Sequence, residues 1–132
     1  MSAYIAKSKT DDWSTPSNLY GEFLENGYFD PCPLRSDFDG LAMEWKERNF
    51  VNPPYSDLKR WIIKAIEENR KGKEVVLLIP SRTDTKGFEM LYKHGCNFVF
   101  IVGRLHFNDE GPAPFPSVLV YLVGNQKKHN GI

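Results

Sequence analysis

Asn52-Pro53-Pro54-Tyr55 is the stretch of this sequence best suited to chemistry. Two consecutive prolines fix two φ angles and remove two N–H donors, so the backbone carbonyls are held rigidly and the Asn side chain projects from a stiff base. An Asn carbonyl and a nearby main-chain carbonyl can accept both hydrogens of a planar exocyclic amine. That pushes the nitrogen toward a pyramidal, nucleophilic geometry, and the adjoining Tyr can stack on the attached ring. The same four residues also serve as a plain proline turn between a strand and a helix, and composition alone does not choose.

The elements that must hold this corner are legible on both sides of it. Asn49-Phe50-Val51 reads as a strand running into the motif, just as Tyr28-Phe29 runs into Asp30-Pro31-Cys32-Pro33. After Ser56, a candidate N-cap, Leu58, Trp61, Ile62, Ala65 and Ile66 repeat at helical spacing until Gly72. Upstream, Thr15-Pro16 has the form of a helix start. Leu19, Tyr20, Phe23 and Leu24 form an apolar stripe over about 16–26, and Gly27 stops it. Val75 to Ile79 is an uninterrupted apolar run, as expected of a central parallel strand covered on both faces. Asp84 or Thr85 can cap a further helix carrying Phe88, Leu91 and Tyr92 and ending at Gly95, with strands near 98–102 and 118–123. Strands alternating with helices imply an open α/β sheet, in which ligands bind beyond the carboxyl ends of the strands. Both proline-rich strand ends fall there.

With 132 residues, 41% of them hydrophobic, the chain has the profile of one domain spanning 1–132, with 1–11 and 125–132 as candidate flexible ends. No apolar run approaches the length of a membrane span, and the first residues lack the apolar stretch of a signal peptide, so a cytoplasmic protein is expected. Cys32 and Cys96, with His94, His106 and His129, show no metal-ligand spacing; reduced thiols and no metal are expected. The formal net charge of zero conceals a division. Residues 1–57 hold five Lys/Arg against ten Asp/Glu, and residues 58–132 hold twelve against seven. A basic half can contact phosphates while an acidic half holds a cation, although balanced surface charge also produces such splits.

In order along the chain, Asp12-Trp13-Ser14-Thr15-Pro16, Phe29-Asp30-Pro31-Cys32, Asn52-Pro53-Pro54-Tyr55, Pro80-Ser81-Arg82-Thr83-Asp84-Thr85, Gly103-Arg104-Leu105-His106-Phe107 and Ala113-Pro114-Phe115-Pro116-Ser117 resemble the phage Dam-type DNA adenine methyltransferase family. The resemblance covers 12 to about 123 and implies a minimal Rossmann-like, S-adenosylmethionine-dependent fold: about five strands in an open, mostly parallel sheet with flanking helices. It further implies methyl transfer from S-adenosylmethionine to the exocyclic nitrogen of an adenine extruded from DNA. Asn52 and the Pro53 carbonyl, braced by Pro54, would orient the amine, and Tyr55 would stack on the base. Trp13, Ser14, Thr15, Pro16, Asp30, Pro31, Cys32 and Asp39 would serve the cofactor, with Cys32 packing rather than reacting and Asp37 as a further candidate. Arg82, Thr83, Arg104, Phe107 and Phe115 would serve the DNA. Ion pairs to Asp84 or Asp109 are the alternative for the arginines, loop core for the phenylalanines, and a turn for Asp39.

Two departures stand out. Pro31, Cys32, Pro33 and Leu34 follow Asp30 where a larger methyltransferase has a glycine-rich turn. Only 21 residues separate Asp30 from Asn52, too few for the two βα units that normally carry the ribose-binding acid. A sheet lacking one edge is then expected, and that edge is a surface for a homodimer. With no inserted recognition segment, sequence discrimination must be weak, loop-based or supplied by a partner. RNA or protein-glutamine methylation, and a non-catalytic cofactor- or DNA-binding module, are the rival functions.

Overall fold

The computed structural model describes residues 16–34, 36–106 and 115–124, so the ends expected to be flexible lie outside the described residues. Helix α1, Ser17–Glu25, has Pro16 rather than Thr15 at the N-cap position and so begins one residue later than the sequence implies. Proline suits that place because its extended ψ of 137° turns the chain into the helix and its missing N–H deprives no partner. Gly27, at φ 83°, ends the run by adopting a left-handed conformation.

Strand β1, Arg48–Val51, is followed by a 3₁₀ turn, Tyr55–Asp57, and then by α2, Leu58–Arg70. Asp57, not Ser56, occupies the N-cap position, because the prolines first drive the chain through the tight turn. Strand β2, Glu74–Pro80, leads to α3, Lys86–His94. Of the two candidate caps Thr85 is used: its Oγ1 accepts from the Phe88 N–H at 3.3 Å. Tyr92 stands outside the apolar stripe and is exposed, whereas Phe88 and Leu91 are buried. Strand β3, Asn97–Phe100, stops short of Val102, where the chain turns through Gly103 at φ 80°, and strand β4 is Ser117–Leu122.

The four strands among the described residues form one mixed sheet in the order β1-β2-β4-β3. This corrects the expectation of five mostly parallel strands in two respects. First, only β1 and β2 pair in parallel; β4 runs antiparallel to both β2 and β3. Second, the strand expected at Tyr28-Phe29 is reduced to a single parallel bridge between Phe29 and Asn49. Pro31, which has no N–H, cannot extend that ladder. Since β3 is antiparallel to β4, it points the same way as β1 and β2, so three strands deliver their carboxyl ends, and β4 its amino end, to one side of the molecule.

Helices cover both faces. Residues Val75, Leu77 and Ile79 of β2, with Val118, Val120 and Leu122 of β4, pack under α2 and α3 through Trp61, Ile62, Ala65, Ile66, Phe88 and Leu91. On the opposite face Phe50, Val76, Leu78 and Leu119 meet Phe23 of α1. All five residues from Val75 to Ile79 are almost inaccessible, as their apolar run implies.

Candidate active site

The strand ends bring the two proline-rich segments side by side. Phe29 N–H donates to the Arg48 carbonyl at 2.8 Å, and Phe50 N–H donates to the Phe29 carbonyl at 2.9 Å. Asp30 therefore leaves the sheet beside β1, whose backbone lies about 4.8 Å away across the ladder and runs on into Asn52. Pro53 is buried, Asn52, Pro54 and Tyr55 are half-buried, and Pro54 is extended at φ −65° and ψ 136°. The Pro54 carbonyl accepts from Asp57 N–H at 3.2 Å, closing the 3₁₀ turn. Among the described residues the Pro53 carbonyl accepts no such bond, so one of the two stiffened carbonyls closes the turn and the other stays available.

The Tyr55 ring meets Phe115 edge-on, with centroids 5.1 Å apart and planes at 77°. Phe115 is buried and reaches the site because β4 enters the sheet at this end. The Arg82 guanidinium lies 6.0 Å from the Phe115 ring centre. Tyr55, Phe115 and Arg82 thus form one layered group. Arg82 is exposed, and its carbonyl is held by Thr85 N–H and Oγ1 at 3.3 and 2.9 Å, which anchors it to the start of α3. Among the described residues it makes no ion pair, with Asp84 or otherwise. Thr83 is exposed in the following turn, and Arg104 is exposed beyond β3, on the same side of the sheet.

Asp30 is the most perturbed acid at this end. Its Oδ1 accepts the Cys32 N–H at 2.8 Å, and its side chain is hydrogen-bonded to Tyr20 of α1. Burial raises its pKa to about 6, an effect tempered by the bonds from Cys32 and Tyr20. Tyr20 in turn is pushed up to about 12 by burial, the Asp30 charge and the bond between them. Cys32 is half-buried against the main core, and Pro31 is buried. Burial raises the other thiol, Cys96, to about 12.

Asp39 caps a short 3₁₀ turn, Gly40–Ala42, its Oδ1 accepting the Leu41 N–H at 3.0 Å. That turn is pressed against the Asp30 loop. A Cβ on Gly40 would stand 1.9 Å from the Pro31 carbonyl oxygen and 2.9 Å from the Trp61 ring. Only a glycine at position 40 lets the two loops approach this closely. Trp45 Nε1 donates to the Gly40 carbonyl at 2.7 Å and fixes the turn from the other side.

Trp13, Ser14, Thr15 and Phe107 lie outside the described residues; Pro16 is placed at the start of α1. Sequence reasoning missed Tyr20 and Gly40. Tyr20 was only one member of a stripe, although a tyrosine on a buried face needs a partner for its hydroxyl. For Gly40 no local signal existed, since its partner is nine residues away.

From residue 2 to residue 129 the chain matches the family model described as DNA N-6-adenine-methyltransferase (Dam). The chain belongs to the Dam family. No curated protein and no solved structure matches it. Dam membership makes the chain a DNA adenine methyltransferase in general terms and DNA its macromolecular partner. No helix among the described residues is long and apolar enough to cross a membrane, and none of their His, Cys, Asp and Glu side chains cluster as metal ligands.

Proposed function

We propose that the protein is a minimal Rossmann-like, S-adenosylmethionine-dependent methyltransferase that methylates the exocyclic amine of an adenine drawn out of DNA. The observation that carries the reading is the placement of Asn52-Pro53-Pro54-Tyr55 at the carboxyl end of β1, beside Asp30 and against Phe115 and Arg82. Asn52 and the available Pro53 carbonyl accept the two amine hydrogens, which localises the nitrogen lone pair toward the methyl donor. Tyr55 stacks on the extruded base, Phe115 closes the pocket from the side, and Arg82, Thr83 and Arg104 contact the strand's phosphates.

The residues beside the motif suit a cationic cofactor. Asp30 is a half-buried carboxylate held in place by Tyr20 and Cys32, and pairing with an ammonium or sulfonium relieves the desolvation that raises its pKa. When bound, S-adenosylmethionine supplies the electrophilic methyl group. Pro31 and Cys32 shape the loop, and Pro16 brings the start of α1 to the same side.

Incubation with S-adenosylmethionine and unmethylated DNA, then digestion and mass spectrometry of the nucleosides, tests the reading. Methyladenine from DNA that disappears with Asn52→Ala is the expected result. Product only from RNA or from a protein acceptor would move the substrate, and no product despite cofactor binding to the folded protein would mark a non-catalytic module.

A further inference from the structure

The two edges of the sheet are finished differently. On the outer side of β1 the Arg48 carbonyl and the Phe50 N–H are both taken by Phe29, so the edge where the sequence places a homodimer contact is already capped. The other edge is β3. Ile101 N–H donates to the Ser117 carbonyl at 3.2 Å, and antiparallel neighbours alternate between bonded and non-bonded pairs, so Val99 and Asn97 also turn their backbone groups toward β4. Phe98 and Phe100 therefore point their N–H and C=O groups outward, where no described residue meets them.

An edge that stays open in a monomer is protected by charges, a proline or a bulge. Residues Asn97 to Val102 include no charge and no proline, and β3 pairs with β4 in unbroken register. The side chains are open as well. Among the described residues, half of the large apolar side chains exposed to solvent lie on or beside this strand: Tyr92 (76%), Val99 (50%), Phe100 (58%) and Val102 (99%). Tyr92 is one turn beyond Phe88 on α3, and the Phe88 ring stacks on Phe98 at 5.0 Å, so Tyr92 borders the same edge. With aromatic rings of about 150–250 Å² each, this patch and its strand backbone offer roughly 500 Å² per protomer, and two copies together reach the ~1,000 Å² that a specific interface needs.

We propose that β3 is the subunit interface of a homodimer, pairing antiparallel with β3 of a second copy across a two-fold axis at Val99. The register follows from the outward backbone groups. Phe98 exchanges both hydrogen bonds with the partner's Phe100, and Phe100 with the partner's Phe98, while Val99 faces its own copy as the close, non-bonded pair. The Phe98 and Phe100 rings lie on one face, 6.2 Å apart with planes at 12°, so the pairing extends their stack to four rings. A second copy suits this edge because an uncharged strand meets its own complement with no like charges opposed. Since Phe29 caps the other edge, each protomer offers one edge and the association closes at two. The carboxyl ends of the two sheets point in opposite directions, which leaves Asn52 uncovered in both.

The test is the mass of the full-length protein by sedimentation equilibrium at micromolar concentrations, with twice 15.2 kDa expected. Val99→Lys sets two ammonium groups against each other at the axis and should weaken the dimer about a hundredfold or more. Val99→Cys should link to its own copy under mild oxidation, because non-bonded partners in an antiparallel pair lie about 4.5 Å apart at Cα, within disulfide reach. Wild type, whose Cys32 and Cys96 are half-buried, should not link under the same conditions. The cysteine variant keeps the proposal open to refutation even if the lysine variant fails to fold. Monomeric wild type overturns the proposal and leaves the edge to a strand of another protein, and a mass that keeps growing with concentration overturns it too. So does a dimer that folded Val99→Lys leaves intact, or one in which Val99→Cys does not link, since either puts the interface elsewhere. None of these readouts involves S-adenosylmethionine or DNA, so the dimer stands or falls apart from the function proposed above.

Discussion

At the amino end of β2 nearly every buried polar group answers another; at its carboxyl end several are left for something else. Glu68, fully buried, accepts from Lys73 Nζ at 2.6 Å, Lys64 Nζ at 2.9 Å and Trp45 N–H at 3.2 Å. Glu44 spans Lys71 and Lys73 at 3.1 and 3.0 Å. Asn69 donates to the carbonyls of Lys73 and Leu122 at 2.7 and 3.1 Å, and its Oδ1 faces His94 Nε2 at 2.8 Å, which ties α2, α3 and β4 together. Tyr28 donates to Glu74. The carboxyl end instead has an acid raised by burial, a proline carbonyl with no donor among the described residues, and an arginine turned to solvent. Groups that stabilise the fold and groups free to take a ligand are kept a strand's length apart, so substitutions at the two ends should fail in different ways.

The largest effect is expected from Asn52→Ala, which should lower methyl transfer by about 10²-fold or more, because a misplaced amine loses its alignment, with an unfolding midpoint near that of wild type. Parallel activity and thermal-unfolding assays check both halves of that statement. Glu68→Ala should do the reverse, removing about 3 kcal/mol of stability by leaving its lysines without their buried partner while the folded fraction keeps its specific activity. Denaturant titration gives the first number and active-fraction kinetics the second. Burial pushes Glu68 up, but the hydrogen bonds from Lys73, Lys64 and Trp45 outweigh it and hold the carboxyl at about 2. A lowered folded pKa stabilises above the unfolded value of 4.5, and that contribution is lost as pH falls toward 2. The acid limb of the stability curve should flatten in Glu68→Gln.

Gly40→Ala should cross the divide, since the added Cβ meets the Pro31 carbonyl and the backbone of both loops must shift. About 2 kcal/mol of stability and part of the cofactor affinity should be lost together, read by urea unfolding and calorimetry. Asp30 is raised to about 6, so its carboxylate is half charged near pH 6 and fully charged only well above it. Affinity for a cationic cofactor should fall by up to tenfold per pH unit below 6, and Asp30→Asn should remove that dependence along with much of the binding. The smallest effect belongs to Arg82→Ala: DNA binding a few-fold weaker on every sequence, with the salt dependence reduced by about one counterion.

Much of the scaffold was legible because it follows from periodicity and stop signals. Trp61, Ile62, Ala65 and Ile66 mark α2, Val75 to Ile79 mark β2, and Gly95 at φ 91° ends α3 where expected. The strand directions were not, because whether Ser117–Leu122 enters at an edge or in the middle, and which way it points, is decided by which apolar faces it covers and not by its own residues. Asn52 could be proposed from residue type and its proline frame, and Asp30 from the family resemblance. The Tyr20 bond to Asp30 and the seating of Gly40 on Pro31 depend on side chains that only tertiary packing brings together. The Asp39 carboxylate could be read as a turn or as a ligand, and its Oδ1 bond to Leu41 shows the turn.

Strand β4 fills an interior position of the sheet although it is the last of the described strands. During synthesis β2 and β3 have nothing to bridge them until residues 117–122 have left the ribosome, so neither face of the core can close early, and the slow pairing over long separations comes at the end. The chain should therefore emerge without a half-assembled active form. A chain stopped before Ser117 would lack the strand that joins β2 to β3 and should not close its core.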